Sequence, residues 1–69
     1  MDINEVRELT RDQLVAELEQ QQRGLMNLRF RKATLQLTDS NEIRNTRRTI
    51  ARINTVLRER EIAEALEVE

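Results

Sequence analysis

Ten basic side chains fall between residues 23 and 60 of this 69-residue chain, and nine of them are arginine. A guanidinium presents paired N–H donors in a fork that fits phosphate oxygens, whereas lysine acts as a compact point charge. An arginine-dominated cluster therefore points to phosphate contact more than to solubility. Spacing sharpens the point. At about 100° per residue on a helix, Arg44, Arg47, Arg48, Arg52 and Arg58 share one half of the circumference, beside an apolar stripe. Ala51 sits among them, small enough to let a backbone or ribose approach closely. A smaller basic group, Arg29, Arg31 and Lys32, lies upstream, with Arg23 further back.

The net charge of −1 conceals this cluster. Residues 1–22 carry −4 and residues 61–69 carry another −4, while residues 23–60 carry +7. Arginines on a solvated helix flank normally pair with acids on the same helix, but residues 43–58 contain no acid at all. Their counter-charge must come from elsewhere, either from a polyanion backbone or from an acidic protein partner. Phe30 is the only aromatic side chain, so stacking on single-stranded bases has little support. Structured RNA or duplex, read through phosphates and shape, suits the pattern better.

Other chemistry is largely excluded by residue type. With neither His nor Cys there is no ordinary general base, no thiol nucleophile and no zinc site. Ser40 is the lone serine and has no histidine to activate it. One glycine cannot build a phosphate-cradling loop. An enzyme, a cofactor and a small-molecule substrate are not expected. No apolar run approaches the ~20 residues that span a bilayer, so no membrane partner is expected either. The polar start Met1-Asp2-Ile3-Asn4-Glu5 does not read as a signal peptide, which makes a cytoplasmic location the expectation.

The elements that must hold the arginines are helices. The chain has no proline, and Leu, Arg, Glu and Gln are abundant. Leu9-Thr10-Arg11-Asp12-Gln13-Leu14 reads as a capping box with a hydrophobic staple, starting a first long helix over about residues 11–37. Thr38-Asp39-Ser40-Asn41 reads as the turn, and Asp39 with Glu42 repeats the capping-box spacing. A second helix follows over about 41–61, ahead of an acidic tail at 62–69 that extends partway and frays. Before the first long helix, Ile3, Val6 and Arg7 form either a short helical turn or an extended arm. A short connection makes the two long helices antiparallel neighbours. The expected fold is therefore all-α, a single-domain antiparallel two-helix hairpin.

Its seam has a definite expectation. Ile43, Thr46, Ile50, Ile53 and Leu57 form a 3-4-3-4 stripe, and Leu14, Leu18, Leu25, Leu28 and Leu35 form its counterpart. A second row, Val15, Met26, Phe30, Ala33 and Leu37, lies beside the first. It is either the edge of a broad core or a surface for another macromolecule. Gly24, inside the first helix, is either a tolerated defect or a close-packing device.

Two stretches in register resemble a known family. Arg47-Arg48-Thr49-Ile50-Ala51-Arg52-Ile53-Asn54-Thr55-Val56-Leu57 looks like the signature of the bacterial large-subunit ribosomal protein twenty-nine family. Asn27-Leu28-Arg29-Phe30 and Thr34-Leu35-Gln36-Leu37 are similar to that family's first helix and its approach to the turn. The resemblance covers roughly residues 5–61. It implies a structural constituent of the large ribosomal subunit, a hairpin docked on large-subunit ribosomal RNA near the nascent-chain exit tunnel. It also implies ribosomal protein twenty-three as a neighbour, in the zone where targeting or chaperone factors dock. Arg44, Arg47, Arg48, Arg52 and Arg29 would be the backbone-contacting residues, with Phe30 at the core edge or RNA boundary. The chain departs from the family at Gly24, where a helix former is usual, at Leu35 in place of a common glycine, and at Thr46 in place of an apolar residue. Two other classes fit the residues less well. A coiled-coil adaptor or helical chaperone would dimerise through the second apolar row. A small enzyme of the chorismate-mutase type needs a third long helix.

Overall fold

The computed structural model describes residues 1–34 and 40–67, all of whose regular structure is helical. Helix α1 spans Ile3–Glu8, α2 spans Arg11–Ala33 and α3 spans Ser40–Glu67. The fold is all-α: α2 and α3 pack along each other as a hairpin, and α1 lies against α3. The molecule is a rod of 53 × 17 × 15 Å.

Local chemistry sets the start of α2. The Gln13 amide N–H donates to Thr10 Oγ1 at 3.2 Å, and the Thr10 amide donates to Gln13 Oε1 at 2.9 Å. This reciprocal box satisfies two donors that a helix start otherwise leaves orphaned. Leu9 packs against the core cluster that contains Leu14, as a staple requires. The N-terminal segment is the short helix rather than an extended arm. The expected turn at 38–41 and the capping role of Asp39 fall partly outside the described residues, as do Leu35 and Leu37. Helix α3 continues through Glu67, past the expected end near residue 61. Ala63, Glu64, Ala65 and Leu66 are all good helix formers, and no glycine or proline interrupts them.

The core is small. Val6, Leu14, Ile53 and Val56 are fully buried, with Ile3, Leu9, Leu18 and Leu57 packed around them. Each fully buried aliphatic side chain contributes about 1.5–3 kcal/mol. On α3 the buried residues are Thr49, Ile53 and Val56, whereas Ile43, Thr46, Ile50 and Leu57 are half-buried. The seam is therefore rotated from the expected stripe. One partner helix would have centred it on Ile50 and Leu57. Because α1 also packs on α3, the buried arc widens towards Val56 and Thr49. Thr49 is accommodated there because its hydroxyl donates to the Asn45 carbonyl at 3.1 Å.

The second apolar row of α2 stays outside. Val15, Met26, Phe30 and Ala33 are exposed, Met26 at 73% and Phe30 at 65%, so these two do not shield the core edge. Nothing lies within 4 Å of where a Gly24 side chain would begin, so this glycine is not a close-packing device.

Candidate nucleic-acid interface

The arginines of α3 divide into two groups by what they touch. Ser40, Ile43, Arg44, Arg47, Arg48 and Ala51 line a shallow open groove on the face turned away from α1 and α2. Arg44, Arg47 and Arg48 are exposed and make no hydrogen bond or ion pair to the described residues. Ile43 and Ala51 supply the apolar part of the lining beside the three guanidinium groups. Such a surface places forked donors where an anionic backbone can reach several at once. The helix itself offers no acid between Glu42 and Glu59 to offset their repulsion, and no described residue pairs with them.

Arg52 belongs to the second group. It is half-buried, and its Nη1 donates to the Met1 carbonyl at 2.7 Å. One donor of this expected site residue is thereby committed to holding the N-terminus, and the side chain is drawn towards α1. Arg60, which the sequence reading did not single out, does the same job at the other end of α1. Its Nη2 donates to the Leu9 carbonyl at 2.6 Å and the Arg7 carbonyl at 3.0 Å. These are carbonyls at and just beyond the C-terminal end of α1, where a cation also meets the negative end of the helix dipole. The signal for Arg60 was available: it continues the 49-53-56 seam by one more step of four, an arginine in a core-facing position. Nearby, Arg7 and Glu59 form an exposed ion pair at 3.5 Å, which adds little stability.

Arg29, Arg31 and Lys32 occupy the last turns of α2, at the same end of the hairpin as the groove. All three are exposed, and none makes a side-chain bond to the described residues. Phe30 and Met26 lie exposed beside them. The end of the rod near residues 29–48 is thus basic, and an aromatic and a thioether side chain lie beside its cations. Among the described residues no group of acidic side chains could hold a metal ion, and no helix is long and apolar enough to cross a membrane.

Residues 4–60 match the model of the ribosomal L29 protein family. The chain belongs to that family. Among curated proteins it is 53% identical over 58 residues to the large ribosomal subunit protein uL29 of Thermosipho africanus, covering 84% of this chain and 88% of that protein. The uL29 protein of Nitratidesulfovibrio vulgaris is 51% identical over 57 residues, covering 83% and 93%. That of Thermoanaerobacter sp. strain X514 is 50% identical over 62 residues, covering 90% of each chain. As a member, this protein is a structural, non-enzymatic constituent of the large ribosomal subunit, and it works in the cytoplasm on the ribosome.

Proposed function

We propose that this protein is held in the large subunit by direct contact of its arginine groove with ribosomal RNA. Arg44, Arg47 and Arg48 carry the contact, Arg29, Arg31 and Lys32 extend it across the end of the hairpin, and Arg52 contributes the donors that Met1 leaves free. The observation that carries this reading is the lack of any protein partner for the three groove arginines among the described residues. Exposed like charges on one helix face cost stability unless a partner neutralises them. Phosphates do so while releasing counterions. We further propose, on the strength of the resemblance, that the docked hairpin lies near the nascent-chain exit. Ribosomal protein twenty-three would be its neighbour, within reach of targeting or chaperone factors.

The test is binding of the full chain to large-subunit ribosomal RNA across a salt series. Affinity falls steeply with salt, and Arg47→Ala with Arg48→Ala lowers the log–log slope by about one unit per lost phosphate contact. An unchanged slope in the double variant refutes the role given to these two residues. Location is checked by cross-linking within purified large subunits, where a product with ribosomal protein twenty-three is expected. Its absence refutes the exit-tunnel placement without touching RNA binding.

A further inference from the structure

Phe30 stands nearly opposite the seam of α2. At about 100° per residue it lies roughly 155° from the mean direction of Leu14, Leu18, Leu25 and Leu28, the buried and half-buried leucines of that helix. The ring is 65% exposed, and Met26, one turn earlier, is 73% exposed. Arg23, Met26 and Asn27 share this outer stripe, falling within about 60° of Phe30 and within roughly 10 Å of it along the helix axis. Arg23 and Asn27 are exposed, and neither side chain has a hydrogen bond or ion pair to the described residues. Residues 20–33 contain no acid, against the four cations Arg23, Arg29, Arg31 and Lys32. An aromatic ring, a thioether and an unengaged amide are thus set together in a wholly basic surround.

We infer that this stripe is a subsite for one unpaired RNA base, which stacks on Phe30 while Asn27 bonds its edge and Arg23 its phosphate. The inference rests on the RNA reading above and adds a contact that the arginine groove does not supply. The surround selects a polyanion, because four cations without an acid attract phosphate and repel a basic partner. The polar members select a nucleobase over an aliphatic surface. An amide carries both donors and an acceptor, which match a base edge. Beneath a purely apolar cover the same amide would be left unpaired, at a cost. Every base also has a π face, to which an exposed ring is the protein counterpart. One ring cannot bind a run of single-stranded bases, but it holds a single base that structured RNA splays out from a loop or bulge. The spacing suits this division of roles. Asn27 lies one turn before Phe30, at the rim of the platform that the ring and the polarizable Met26 sulfur provide. Arg23 lies two turns back, where a long side chain reaches the phosphate beside the stacked base. Arg29 and Arg31 flank the ring on either side and carry the cationic strip around the end of the hairpin.

Binding of the full chain to large-subunit ribosomal RNA at several salt concentrations tests the subsite. Phe30→Ala lowers affinity roughly 5- to 150-fold at every salt, the range for one stacked base. The log–log slope stays that of the parent, since stacking neutralises no phosphate. Phe30→Leu keeps apolar bulk without a π face and loses most of the same affinity. Phe30→Trp retains binding, and its fluorescence is quenched by RNA, a clean signal because the chain has no tryptophan of its own. Asn27→Ala weakens binding at an unchanged slope, whereas Arg23→Ala lowers the slope by about one unit. Chemical probing shows one base protected by the parent and by Phe30→Trp but open with Phe30→Leu. Circular dichroism confirms that these exposed substitutions leave the helices intact. Parent-like affinity in Phe30→Ala, or in Phe30→Leu alone, overturns the stack and leaves the arginine groove standing. So does a Phe30 variant that binds RNA normally yet fails to enter large subunits, which assigns the stripe to a protein. If the parent chain itself shows no salt-dependent RNA binding, both readings fall together.

Discussion

Arg60→Met removes two charged donors while keeping an aliphatic stem of similar length, and the structure specifies what this does. Arg60 reaches over from α3 to the Leu9 and Arg7 carbonyls at 2.6 and 3.0 Å, closing the C-terminal end of α1 and the corner that leads into α2. Hydrogen bonds from a charged donor contribute about 1.5–3 kcal/mol when buried and less when water competes. One of these two is part-buried and the other exposed. Together they are worth about 2 kcal/mol, the larger share from the Leu9 bond. For a domain of this size, each kcal/mol moves the melting temperature by roughly 4–8 °C, so a fall of about 8–16 °C is expected. Thermal unfolding by circular dichroism reads the total. Hydrogen exchange locates it, with α1 amides losing protection before those of α2 and α3. RNA affinity at permissive temperature and its salt slope stay unchanged, because Arg60 points at the protein backbone. Arg47→Ala gives the converse, a lower slope with little change in melting temperature. A melting temperature within 2–3 °C of the parent for Arg60→Met would refute the staple. A lowered salt slope in that variant would return Arg60 to the RNA-facing group.

Three further outcomes follow from single residues. Gly24→Ala stabilises the protein by about 1 kcal/mol in denaturant titration, because the helix gains propensity and the new methyl meets nothing within 4 Å. Thr10→Ala costs about 1 kcal/mol by the same titration, since the Gln13 amide loses its acceptor and the reciprocal box opens. Phe30→Ala shifts stability by less than about 0.5 kcal/mol despite removing the only aromatic ring, because that ring is 65% exposed; a loss of 3 kcal/mol or more would restore it to the core.

The local chemistry of this protein was written in its sequence. Thr10 and Gln13 close their box through contacts three residues apart, and the absence of proline leaves nothing to break either long helix. The separation of charge was equally plain, since residues 43–58 hold no acid whatever they fold against. Those features depend on neighbours along one helix, and helical spacing reports such neighbours directly. What tertiary structure decided was which arc of α3 lies inside. Periodicity measures the angles between residues, but it does not say how many elements pack on the helix. With α1 added beside α2, Thr49 and Val56 moved to the centre and Ile50 to the flank. The same docking of α1 drew Arg52 and Arg60 to backbone carbonyls some fifty residues away, while Arg44, Arg47 and Arg48 have no partner among the described residues. Sequence set the number and side of the positive charges; only the packing of α1 determined which of them remain available to a partner.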